Sequence, residues 1–293
     1  MATVKLNQLP APTFSWLGVN GTEREIPDDL AEEIVISGRD ESVKKIDVQK
    51  STNVTVNGGV NPQLVVMHIR AEKAAIRTAV HADAGQQIRL VQIVSGGETV
   101  SALQADLAEN ASLELVQIYL NTADAVSGIE IAMNGRKSAF TSYIGYLLAD
   151  DDRLDINLNI VQSGRKTVSN TNVRGVLRGH AEKVFRGTID FKNGAAGASG
   201  TEQENVLLLD EHVVNKTVPV ILCAEEDVVG SHGATIGQID PKQIFYMQSW
   251  GIPEAQIYEI LAQSQLGSIV KQIGDAETEQ AVGRLLGKEA DDA

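Results

Sequence analysis

The chain of 293 residues carries 25 Lys and Arg against 39 Asp and Glu, with five His, one Cys and 4% aromatics. A formal charge of −14 opposes phosphate-driven nucleic-acid binding and adhesion to anionic lipid, and the lone Cys223 allows neither an internal disulfide nor a cysteine-rich ligand set. No apolar run approaches the ~20 residues that span a bilayer, and MATVKLNQLPAPTF lacks a signal-peptide pattern, so the sequence predicts a cytoplasmic protein.

Pro10, Pro12, Gly18, Gly21 and Pro27 predict an irregular lead-in over residues 1–35, with one strand around Phe14–Val19. From about residue 34 to 230 the apolar residues fall in short alternating runs. The clearest is Leu154, Ile156, Leu158 and Ile160, interleaved with Asp155, Asn157 and Asn159. A period of two means one buried face and one solvated face. Ile88-Leu90, Leu113-Leu115, Ile129-Ile131-Met133 and Ile189-Phe191 repeat it. Asn57-Gly58-Gly59, Ser95-Gly96-Gly97, Asn134-Gly135, Ser163-Gly164 and Asn193-Gly194 punctuate the runs as turns. Residues 36–239 therefore read as a β-scaffold. Scarce aromatics count against a sandwich. The segments 71–78, 108–115, 149–156 and 178–185 share a polar or small turn leading into an apolar strand. Their strand-entry residues Ile76, Leu113, Leu154 and Val184 are irregularly spaced, which excludes a strict repeat and leans toward a β-helix with corners of variable length.

Residues 240–293 form a helical module. Asp240-Pro241 is an N-cap followed by proline at the first helical position, and Gly251 stops a helix over Pro241–Trp250. Pro253 opens a second helix bearing Ile257, Ile260, Leu261, Ile269, Val270 and Ile273. A third runs from about Glu277 to Leu286, before an acidic tail, KEADDA.

Candidate chemistry is sparse. GxxxxGK[ST], GxSxG, HExxH and CxxC are absent, and Gly194–Gly200 reads as a flexible turn. His68, His81, His180, His212 and His232 include no pair at helical ligand spacing. Cys223, within Val220–Ala224, reads as a small core hydrophobe, and Asp150-Asp151-Asp152 as a solvated turn. A β-helix enzyme that cleaves acidic sugars with carboxylates on its parallel sheet is a weaker alternative. His232 differs from the other histidines. It stands between small residues, where the last strand runs into the helices, and is open to a borderline metal such as iron.

SHGATIGQID followed by PKQIFYMQSWGIPEAQ resembles the C-terminal signature of the SufB/SufD family of iron–sulfur cluster assembly proteins. VFRGTIDF (184–191), EQENVLLLD (202–210) and VPVILCAEEDVVGSHGAT (218–235) follow that family's order and spacing. The resemblance implies a right-handed parallel β-helix with a C-terminal α-helical module. It implies a non-catalytic scaffold subunit that pairs with a SufB/SufD-type chain or with its own copy, and that docks a SufC-type ABC ATPase. Ile244, Phe245, Tyr246, Trp250 and Ile257 are the docking candidates. His232 matches the family's histidine at the scaffold interface, an iron or cluster contact. No cofactor is implied as stably bound, only a transient iron–sulfur cluster at a subunit interface. Ser231-His232-Gly233 is SufD-like, whereas the SufB-type motif sets Glu on both sides of the histidine. A SufB-like scaffold that carries the nascent cluster itself is the alternative. The chain resembles a short form without the N-terminal helical domain of longer SufD proteins.

Overall fold

The computed structural model describes residues 2–13, 15–26, 32–38, 43–120 and 122–287. Two strands, β1 (Ala2–Leu6) and β2 (Thr22–Ile26), pair antiparallel as an N-terminal ribbon. The chain then alternates between two sheets through β3 (Glu32–Ile36), β4 (Val43–Val48), β5 (Thr52–Asn57), β6 (Gln63–Ile69), β7 (Lys73–Ala82), β8 (Gln87–Ser95), β9 (Glu98–Leu107) and β10 (Ser112–Leu120). It continues through β11 (Asp124–Met133), β12 (Ala139–Leu148), β13 (Arg153–Gln162), β14 (Val168–Leu177), β15 (Glu182–Phe191), β16 (Ala198–Leu208), β17 (Val214–Cys223) and β18 (Val228–Gln238). The odd-numbered strands β3–β17 form one eight-stranded parallel sheet and the even-numbered strands β4–β18 another. Each coil of this β-helix contributes one strand to each sheet, as the turn signals and alternating runs predict.

Register advances by coils of unequal length: Gln87 pairs with Ser112, but Glu182 pairs with Val214. The spacing read between Ile76, Leu113, Leu154 and Val184 is not the coil length, because Leu113 lies in the even sheet and the other three in the odd sheet. A turn leading into an apolar strand occurs at both corners of every coil, so the two corners look alike in sequence.

Aliphatic side chains from both sheets fill the lumen in ladders such as Ile131–Ile160–Ile189. The even sheet is also covered outside, by α2 (Glu254–Val270) and α3 (Ala276–Leu286). Val91, Ile93, Val116, Ile118, Leu147 and Val176 pack there against Ala262, Leu266, Ile269, Val282 and Leu286. Burial on both faces explains why residues 115–120 of β10 are buried without a break and not in alternation. The preceding helix, α1 (Pro241–Ser249), starts at Asp240, whose carboxylate accepts from the Lys242 N–H at 2.9 Å. Asp275 caps α3 in the same way through Thr278, at 3.0 Å.

The N-terminal segment departs from the expected irregular lead-in. Its ribbon lies on the outer face of the odd sheet, where Arg24 meets Asp124 at 2.9 Å and Asn7 donates to Asp155 at 2.5 Å. Instead of a strand around Phe14–Val19, Ser15–Leu17 form a 3-10 turn, and β3 already belongs to the β-helix. Leu9 and Val19 are buried against Val218, which anchors the segment at two points. Phe14, Pro27 and the 288–293 tail lie outside the described residues.

Candidate functional site

The β-helix ends at β17 and β18, the outermost strands of their sheets, so both present unpaired main-chain groups. Among the described residues no strand stacks on this last coil. Residues 229–236 of β18 are exposed along their length, including Val229 at 70% and Ile236 at 54%. His232 lies at the middle of this edge strand, exposed, with Glu202 as its register partner in the coil below. In parallel in-register strands the paired side chains point the same way. Glu202 points into the lumen, so His232 stands at the lumen's open mouth.

Cys223 closes β17 and is exposed, which corrects its reading as a core residue. It pairs in register with the buried Phe191. Its strand is apolar as expected, but among the described residues no further coil covers it. Gly194–Gly200 is also more ordered than a flexible turn: Ala195 and Ala198 are buried, and Ala198–Gly200 open β16.

Directly beneath the mouth the lumen is charged. Lys183, from β15, has its ammonium 2.5 Å from Glu204 and 3.0 Å from the Thr217 hydroxyl. Glu204 also accepts from Thr217 at 2.6 Å and from the Tyr146 hydroxyl at 3.2 Å. Lys183 and Glu204 side chains are 0% and 1% exposed. Burial lowers the Lys183 pKa against the opposing pull of Glu204, and burial raises Tyr146 well above its usual value, with Glu204 adding to it. Glu202 is 4% exposed, and among the described residues no hydrogen-bond donor meets its carboxylate. Burial, reinforced by Glu204, pushes it up to about 7. Sequence inspection missed this network, although one signal was present. Gly200, Glu202, Glu204 and Val206 share one face of β16, and that face is otherwise apolar.

The expected docking residues separate into two groups. Phe245, Tyr246 and Trp250 are 72%, 62% and 72% exposed, and Tyr246 and Trp250 meet edge-on with centroids 6.1 Å apart. Ile244 is half-buried. Beside them a groove of about 450 Å³ between α1 and α2 is lined by Ile239, Tyr246, Met247 and Leu261. Ile257 is a correction: it is fully buried among the apolar residues α2 turns inward, and no partner can touch it.

The remaining histidines do not join His232. His180 and His212 stack on each other at 5.3 Å on neighbouring corners, and His81 lies 3.8 Å from Asp106. Burial, with Arg70 beside it, lowers the His68 pKa. Among the described residues no group of three or more His, Cys, Asp and Glu side chains is arranged to hold a metal ion. No described helix is long and apolar enough to cross a membrane.

Lumen, open mouth and exposed helix together define a parallel β-helix protein with a helical C-terminal appendage. Residues 43–264 match the family described as SUF system FeS cluster assembly, SufBD core domain. The chain belongs to this SufB/SufD family of iron–sulfur cluster assembly proteins. It is 28% identical over 114 residues to the iron–sulfur cluster assembly protein SufD of Bacillus subtilis, a match covering 39% of this chain and 26% of the relative. An iron–sulfur cluster assembly SufBD family protein of Mycobacterium tuberculosis is 26% identical over 193 residues, covering 62% of this chain and 48% of that protein. The match thus spans about a quarter to a half of these relatives' length.

Proposed function

We propose that the chain is a SufD-like scaffold subunit without catalytic activity of its own. It pairs through the open end of its β-helix with a SufB/SufD-type chain or a second copy, and it docks a SufC-type ATPase on α1. The observation that carries this reading is the last coil. It leaves two long strand edges unpaired and holds His232, flanked by Ser231 and Gly233, at the point where a partner would close the lumen. Iron or a nascent cluster is then cargo met at the interface, with His232 as this chain's contact.

Phe245, Tyr246 and Trp250 support the docking assignment. Large aromatics exposed together on one helix are the residue types that dominate protein interfaces. Removing the whole helical module is a poor test, because α2 and α3 cover the even sheet. Replacing Phe245, Tyr246 and Trp250 together with Ala leaves that cover intact. Co-expressed with a SufC-type ATPase, the wild-type chain is expected to retain it through purification and the triple variant to lose it. Equal retention by both rejects the docking surface.

A further inference from the structure

Five in-register positions form a ladder along the lumen face of the even sheet: Leu115, Ser142, Thr171, Glu202 and His232. Its lower polar members are satisfied, since Ser142 donates to Thr171 at 3.0 Å. Glu202 is not. Its carboxylate fills the space opposite Gly187, where any side chain would collide with it. The nearby Lys183 directs two of its three N–H groups to Glu204 and Thr217. Glu202 is 4% exposed, so its carboxylate is largely shielded from water, and among the described residues no donor meets it. Glu202 is thus the carboxylate near the mouth that the Lys183, Glu204, Thr217 and Tyr146 network does not take up. Among the described residues, the one in register directly above it is His232, whose imidazole can donate. Adjacent strands lie roughly 4.8 Å apart, so rotation about the two side chains brings carboxylate and ring nitrogen to hydrogen-bonding distance.

We infer that Glu202 is the positioning residue of His232. Its carboxylate accepts one ring N–H, which fixes the tautomer and leaves the other nitrogen unprotonated and aimed out of the lumen mouth. A histidine that ligates a metal almost always donates its second N–H to a carboxylate, a carbonyl or water, and loss of such a partner weakens metal binding about 10–100-fold. Here the strand that carries the histidine offers only Ser231 and Gly233 beside it. The acid comes instead from the preceding coil. This inference rests on the reading of His232 as an iron contact.

The test uses the full chain labelled with 15N-histidine at pH 8 and assigns the His232 ring by its loss in His232→Gln. The wild-type ring is expected as a single neutral tautomer, and Glu202→Gln is expected to give the mixture of a free imidazole. Because the wild-type spectrum is informative alone, a variant that misfolds does not decide the outcome. A mixed tautomer in the wild type, or no change in Glu202→Gln, overturns the inference. Co²⁺ titration of the same proteins supplies the second readout. Wild type is expected to bind about 10–100-fold more tightly than Glu202→Gln, and the double variant with His232→Ala no more weakly than His232→Ala alone. A tautomer that depends on Glu202, together with Co²⁺ binding indifferent to His232, upholds the pair and rejects the iron-contact reading.

Discussion

Replacing Lys183 with Met tests whether the charged lumen is held together by pairing. The ammonium is fully buried, 2.5 Å from Glu204 and 3.0 Å from Thr217. Methionine keeps most of the volume and removes the charge, leaving the Glu204 carboxylate with only the hydroxyls of Thr217 and Tyr146. Breaking a buried ion pair from one side costs about 3–5 kcal/mol, because the partner is stranded in low dielectric. Replacing both partners with apolar groups, Lys183→Met with Glu204→Leu, strands no charge and is expected to recover most of that loss. The cycle then yields a coupling of about 3 kcal/mol. In a solenoid each coil is stabilised chiefly by its neighbours, so the loss is expected to open the last coils before the first. Urea unfolding with hydrogen exchange resolved along β15 and β16 reads both effects. A single variant within about 1 kcal/mol of wild type, or a double variant as damaged as the single, refutes the pairing argument.

Glu202, displaced from 4.5 to about 7, keeps a proton in the native state that the unfolded chain has already released; raising the pH through this window favours unfolding. Wild type is expected to lose about 3 kcal/mol relative to Glu202→Gln between pH 4 and pH 8, measured by chemical denaturation, and parallel curves contradict this. Gly175→Ala drives a methyl into the ring of Tyr146, which is fully buried and cannot retreat. The expected cost is about 3 kcal/mol, at the upper end for overpacking, and Tyr146→Leu in the same chain should relieve it. Asp155→Ala strands the buried Arg186, which Asp155 holds at 2.5 Å and 3.1 Å, and leaves Asn7 with only the main-chain carbonyl of residue 155 as acceptor. Limited proteolysis is expected to cut near residues 10–18 much faster in this variant, while the core strands remain resistant.

Local chemistry was legible and distant pairing was not. The Asp240-Pro241 cap, the stop at Gly251 and the alternation of β13 are decided within a few residues, and sequence reading located them. Coil length was misjudged because both corners use the same small and polar residues. The 3-10 turn at Ser15–Leu17 was misread because Leu9 and Val19 owe their burial to Val218. Cys223 sits in an apolar strand that is outermost among the described strands of its sheet, and a sequence shows the strand but not its place at the edge. The lumen network joins Tyr146, Lys183, Glu204 and Thr217 from four strands. Only the carboxylates on the buried face of β16 hinted at it. His232 was found through family resemblance, and its register with Glu202 needed the coils to be stacked.

The two ends of the β-helix differ in a way that bears on assembly. At the N-terminal end, β3 and β4 are only five and six residues long and carry Glu32, Glu33, Lys44 and Lys45. Short, charged edges discourage strand pairing. At the other end, β17 and β18 are ten and eleven residues long, with Val229 and Ile236 exposed. Lys216, the one lysine of the two strands, is turned away to donate to the Leu17 carbonyl at 3.1 Å. If both ends were adhesive, head-to-tail stacking would build fibres; with one end blunted, pairing through the other closes after a single step. The lumen follows the same polarity, from Leu115 through Thr171 to Glu202 and His232. Charge is therefore concentrated where a partner would seal it from water, and there a largely buried acid such as Glu202 gains most from a donor in register above it.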